Sequence, residues 1–155
     1  MTLTAKNLGL LAAAGSAALL IGAFIFQAFG FAPCALCLWQ RWPHAAAILI
    51  GLVLLAGGPR LLIWAGATAA AATSGIGFYH AGVEWRFWPG PTSCTGGGLD
   101  LGAMGGSDLL SMDAPTGLVL CDEVVWSLMG LSMAGWNGVI SLVLATIWVI
   151  AARRA

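Results

Sequence analysis

From Leu8 to Phe29 the sequence is apolar except for Ser16 and Gln27. As a helix, a run of that length crosses about 30 Å of hydrocarbon. Such a run can sit in lipid or in a large soluble core, and charge decides between them. Only 8% of the residues are charged and 60% are hydrophobic, whereas soluble domains carry about 25% charged residues. Too few charges remain to cover a soluble surface, so a membrane protein is predicted. A net charge of zero argues against nucleic acid, which needs a concentrated basic patch. Lys6 and Ala12-Ala13-Ala14 have the look of a cleaved signal peptide, but hydrophobicity continues to Phe31. An uncleaved span over about 8–29 is therefore expected.

The second span is the shortest. Ala45 to Ala56 alone is too short to cross, and starting at Leu38 gives a span over 38–56 with Trp39, Gln40, Arg41 and His44 in its first turns. Pro43 is tolerated close to a helix start. Gly57-Gly58-Pro59-Arg60 then reads as a tight turn. The third span covers 61–79 and the fourth 134–152, closed by Arg153 and Arg154. Residues 81–133 hold all six acids, three prolines and the Gly96-Gly97-Gly98 run, which marks an extramembrane loop. Within it, residues 83–88 suit a short amphipathic turn at the lipid interface.

Lys6, Arg60, Arg153 and Arg154 segregate to one side, which the positive-inside rule makes cytoplasmic. Both termini share that side, so the number of spans is even. The fold expected is an all-α membrane protein, a four-helix transmembrane bundle forming one integral membrane domain over 1–155. Tryptophans 39, 42, 85, 88, 126 and 136 would form the outer aromatic belt, with Trp64 and Trp148 near the inner one. All four cysteines, Cys34, Cys37, Cys94 and Cys121, then face outward. There disulfides form and persist.

Cys34 and Cys37 form a CxxC, and Arg41 follows Cys37 by one helical turn on the same face. A cation there, with a helix start under the cysteines, favours thiolate over thiol. The motif reads as a redox pair, with a structural disulfide or half a metal site as alternatives. Cys94 and Cys121 stand in the glycine-rich loop, where they suit either a loop-closing staple, worth about 3–4 kcal/mol, or an exchangeable disulfide. A zinc site of four cysteines usually has two close pairs, and a c-type haem needs His after the second cysteine, where Leu38 stands. His80 ends the third span and His44 lies in the second. Ionisable groups in a membrane point to function, although either can simply bond water or a carbonyl. Gln27 likewise fits a ligand role or a bond to a neighbouring helix.

Several of these motifs together resemble the bacterial disulfide bond formation protein B (DsbB) family. They are Pro33-Cys34-x-x-Cys37-x-x-x-Arg41 between two spans, His80-x-Gly82-Val83-Glu84, Gly90-Pro91-x-x-Cys94, and Cys121 followed by Trp126 and Gly130-Leu131-Ser132-Met133. The likeness runs from Phe26-Gln27 to the last helix and is thinnest over 95–117. It implies a four-helix bundle of the inner membrane with a long periplasmic loop between helices 3 and 4. It also implies a quinone-dependent protein-disulfide oxidoreductase. This activity reoxidises a periplasmic thioredoxin-fold dithiol oxidase of the DsbA kind and passes electrons to ubiquinone or menaquinone. By that resemblance Cys94–Cys121 is attacked by the partner, Cys121 attacks Cys34, and Cys37 leaves towards the quinone. Arg41 would support the charge, with Gln27 and His80 in the quinone pocket. Two rivals remain: an enzyme resembling vitamin K epoxide reductase, whose CxxC is expected late in the chain, and a non-enzymatic scaffold with stapling disulfides.

Overall fold

A computed structural model describes residues 4–91 and 120–155. The expectations placed on Cys94 and on the glycine-rich tract fall outside the described residues. Among the described residues four long helices carry the fold: α1 (Ala5–Ala28), α2 (Ala35–Leu55), α3 (Leu62–Glu84) and α4 (Met133–Arg153). Two short antiparallel strands, β1 (Ser127–Leu128) and β2 (Leu131–Ser132), precede α4. Three of the helices, α1, α2 and α4, are long and apolar enough to cross a membrane. In α3 the apolar run is diluted by Thr68, Thr73, Ser74 and His80, and much of its polar content turns inward.

Three of the four helices, α1, α2 and α4, begin at a side-chain cap, whereas α3 starts at Leu61 without one. Thr4 accepts from the Asn7 N–H, Cys34 from the Cys37 N–H, and Ser132 from the Gly135 N–H. These bonds satisfy amides that the first turn leaves free. The cap at Cys34 starts α2 three residues earlier than the expected span. Pro43 thus sits two turns inside the helix, where the Thr73 hydroxyl of α3 donates to the nearby Gln40 carbonyl at 3.2 Å. A neighbouring helix that supplies hydrogen bonds in this way makes an internal proline tolerable in a membrane.

α3 runs five residues past the expected span, through Glu84. Of the segment expected as an interfacial turn, Val83 and Glu84 are helical, and Val83 is buried. The chain breaks at Arg86, whose φ is 60°. Between β1 and β2, Met129 and Gly130 both have positive φ, 54° and 79°, the backbone of the two-residue hairpin turn that favours glycine at its second position. That hairpin, absent from the sequence expectation, seats Ser132 at the start of α4.

Because the helices alternate in direction, their ends gather in two layers. At one end the Lys6 ammonium donates to the Leu55 carbonyl (3.2 Å), and Arg60 donates to the Ala155 carbonyl (3.0 Å). At the other end stand Cys34, Glu84 and Ser132. The core nearer the basic end packs Ala12, Ala13, Leu54, Ile63, Ala67, Ala70, Leu144 and Ala145 around Trp148. Trp148 is fully buried, which corrects its expected place in a lipid-facing belt. The cause is local: a Cβ on Gly66 would come within 2.7 Å of the indole and one on Gly9 within 2.9 Å, so these glycines make room for the ring. Trp64 does remain exposed. Higher up, a Cβ on Gly77 would meet the Gly138 backbone at 2.8 Å, and this close approach of α3 and α4 is the kind that small residues permit in lipid.

Candidate functional site: a dithiol at the mouth of an apolar cavity

Cys34 and Cys37 are free thiols at the start of α2. Cys34 donates to the Cys37 sulfur at 2.9 Å, while the Cys37 N–H reaches back to the Cys34 sulfur at 3.2 Å. The bond to Cys37 and burial push the Cys34 thiol well above its usual range. Cys34, capping the helix, therefore keeps the pair's proton, and Cys37 is the acceptor. The expectation that the setting favours thiolate does not hold for Cys34.

Cys121 is disulfide-bonded. It was expected on a mobile, accessible loop, but it is fully buried, packed in one cluster with Cys34, Leu36 and Val83 and flanked by Cys37 and Ile76. The backbone of Cys121 also lies against His80. Apolar side chains from α2 and α3 close over the sulfur and hold it beside the CxxC. Three of the four cysteines thus share one pocket of protein.

Arg41, lining the same cavity as Cys37, reaches to α1. Its guanidinium donates to Gln27 Oε1 at 2.9 Å and stacks over the Phe24 ring at 4.7 Å, while its Nε has no partner. A cavity of about 450 Å³ opens beside it, lined by Phe26, Phe31, Cys37, Arg41, Trp126 and Ile140 among others. Phe26 and Trp126 meet edge to face at 5.4 Å. Cys34, His44, His80 and Glu84 also line this space. Gln27 does not line it; its carboxamide holds Arg41 instead.

A chain of polar groups runs from the thiols into the bundle. Gln40 donates from Nε2 to the Leu36 carbonyl (3.3 Å) and meets His80 Nδ1 at 3.1 Å. Its Oε1 accepts from Asn137 Nδ2, whose amide lies beside Thr73 (3.3 Å) and whose Oδ1 is 2.9 Å from His44 Nε2. The Leu36 carbonyl can only accept, so it fixes which way the Gln40 amide faces. Gln40 then donates to His80 Nδ1, and the imidazole proton resides on Nε2. That Nε2 stands 3.5 Å from Cys34 Sγ and 3.9 Å from Glu84 Oε1, with the Cys121 backbone also bonded to the imidazole. His44 caps the far end of the network rather than touching the thiols.

Glu84, Gln40 and Asn137 belong to the site and were missed in the sequence. Glu84 follows His80 by one helical turn, a signal that was available but masked by placing Glu84 in the loop. Nothing in the local sequence links Asn137 to Gln40, because they meet only where α3 packs against both α2 and α4. The Cys34, Cys37 and His80 ligand atoms lie within 4.8 Å of one another, so the reduced pair also offers a set of sulfur and nitrogen donors of the type a thiophilic cation accepts.

Residues 5–151 match the family model "Disulfide bond formation protein DsbB". Among curated relatives, disulfide bond formation protein B 2 of Pseudomonas aeruginosa is 34% identical over 155 residues, covering 89% of this chain and 88% of that protein. Disulfide bond formation protein B of Albidiferax ferrireducens is 31% identical over 147 residues, covering 88% of this chain and 83% of that protein. The protein of the same name from Paracidovorax citrulli is 29% identical over 154 residues, with 97% and 87% covered. No solved structure gives a significant match.

Proposed function

This chain belongs to the disulfide bond formation protein B family, and from that premise we propose that it reoxidises a periplasmic thioredoxin-fold dithiol oxidase and passes the electrons to membrane quinone. One observation supports the reading most: Cys121 is buried against Cys34 at the mouth of an apolar cavity that also holds Cys37 and Arg41. A stapling disulfide has no reason to seat one of its sulfurs against a second thiol pair.

The proposed sequence balances at each exchange. A thiolate of the partner attacks Cys94, the Cys94–Cys121 bond breaks, and Cys121 leaves as thiolate. The partner's second thiol attacks its own sulfur in the mixed disulfide and frees Cys94. Cys121 attacks Cys34 and expels Cys37 as thiolate. Cys94 then re-forms its bond with Cys121 and returns Cys34 as a thiol. Closing Cys34–Cys37 gives up two electrons. Quinone, when bound, supplies a two-electron, two-proton acceptor dissolved in the bilayer. The cavity suits such a group: apolar and aromatic walls, with the unpartnered Arg41 Nε as a buried donor on its rim. Arg41 holds charge beside Cys37, and Gln27 and Phe24 hold Arg41. His80 keeps a donor on Cys34.

The proposed orientation places Lys6, Arg60, Arg153 and Arg154 on the cytoplasmic side and the cysteines in the periplasm. A redox potential near −120 mV, the value the general redox scale gives for DsbA, marks an oxidant that few dithiols can regenerate. A quinone acceptor supplies that pull. The test is trapping. A partner whose second cysteine is replaced by serine should accumulate a disulfide with Cys94 of the wild-type protein, because the thiol that resolves the mixed disulfide is gone. Trapping at Cys121 instead of Cys94 contradicts the order of attack.

A further inference from the structure

Oxidising the Cys34–Cys37 dithiol requires a base, and His80 is the first candidate by distance. Its tautomer excludes it. The Leu36 carbonyl orients the Gln40 amide, Gln40 donates to His80 Nδ1, and Nε2 therefore already carries a proton where it faces Cys34. His80 can stabilise negative charge on that sulfur but has no lone pair free to accept from it. The group beyond it is Glu84. Its side chain is only 6% exposed, it lines the same cavity as both thiols, and the Ser132 hydroxyl faces its carboxyl. Its second oxygen, Oε2, is buried without a partner. A buried carboxyl oxygen left open beside a dithiol is costly unless it is used.

We propose that Glu84 is the proton carrier of this site, accepting a proton from the thiol pair and returning it to the oxygen of the reduced quinone. The inference rests on the quinone reading above. The pair reaches this step as the Cys34 thiol and the Cys37 thiolate, so closing the bond releases two electrons and one proton, while conversion of quinone to quinol takes up two of each. Glu84 carries the Cys34 proton, as carboxylate when it accepts and as acid when it gives. The second proton is drawn from solvent and replaces the one that the partner's dithiol shed during exchange. Glu84 Oε1 and Cys34 Sγ flank the same His80 nitrogen, at 3.9 Å and 3.5 Å, so the proposed proton path is short. The charged and titratable groups that share its cavity are His80 on its own helix, Cys34, Cys37, Arg41 and His44 from α2, and Glu123 from the segment before β1.

The experiment compares wild type, Glu84→Gln and Glu84→Asp in lipid nanodiscs. Glu84→Gln should slow closure of the dithiol onto a ubiquinone analogue by about 100-fold and flatten its pH dependence. Quinone affinity should stay within a few-fold, and disulfide exchange between the loop cysteines and a reduced partner should be unchanged. Glu84→Asp should recover part of the rate. A second arm uses quinone-free protein: oxidising Cys34–Cys37 with a soluble disulfide should perturb a carboxyl band in infrared difference spectra, and Glu84→Gln should lack it. An unchanged closure rate, a loss confined to quinone affinity, or the same carboxyl band in both proteins would overturn the proposal. Failure of wild type to reduce any quinone would instead remove the function proposed above, while the infrared arm would still decide whether Glu84 answers to the thiols.

Discussion

Around Trp148 the four helices meet through alanine, glycine and leucine, whereas around Cys34 they meet through Gln40, His80, Glu84 and Asn137. The first region is close-packed, with glycines cut away to admit one indole. The second carries a cavity and a hydrogen-bonded network. In lipid, helix association rests on van der Waals packing and interhelical hydrogen bonds. The basic end uses the first and the cysteine end leans on the second. The division assigns stability to one end and chemistry to the other.

Substitutions should separate the two ends cleanly. The largest effect is expected at Trp148→Ala, which empties the space the glycines create and should cost about 3–5 kcal/mol of stability. Thermal unfolding in detergent would record it. Activity per folded molecule should remain near wild type, and a matching loss of turnover would break the division. Next comes Arg41→Met, which removes a charge-assisted interaction of about 1.5–3 kcal/mol. Apparent quinone affinity should fall about tenfold or more with little change in the melting temperature. Arg41→Lys keeps the charge but not the planar fork, so it should fall between. Gln27→Ala should be mildest, since it removes a neutral partner worth about 1 kcal/mol and merely frees Arg41. A Gln27 effect larger than that of Arg41→Met would place Gln27 against the quinone itself.

The sequence carried the helices and the cysteine end unequally. Spans could be read because lipid permits little but helices, and apolar length then fixes their number. Their ends were less legible. A cysteine as helix cap set the start of α2, and the helix carried His80 and Glu84 together past the expected membrane boundary. Trp148 was misplaced because belt logic assumes tryptophan meets headgroups, whereas glycines on α1 and α3, distant in sequence, make it a core residue. The CxxC and Arg41 were legible as one motif at helical spacing. The Gln40–Asn137 bond was not, because only the packing of α3 against both α2 and α4 brings residues so far apart together. Burial of Cys121 was hidden for the same reason: glycine-rich surroundings suggest mobility, and only the fold reveals Leu36 and Val83 closing over the sulfur.

In the proposed sequence, the passage of electrons from Cys121 to Cys34 joins the soluble partner to the membrane. It can be caught by mixing reduced thioredoxin-fold partner with the protein and one equivalent of quinone in nanodiscs, quenching with acid on the millisecond scale, and mapping disulfides by mass spectrometry. A transient Cys34–Cys121 disulfide should appear before quinol absorbance rises and decay as Cys34–Cys37 re-forms. Quinol formation with no Cys34–Cys121 species at any time, or at an undiminished rate in Cys34→Ser, would contradict the account.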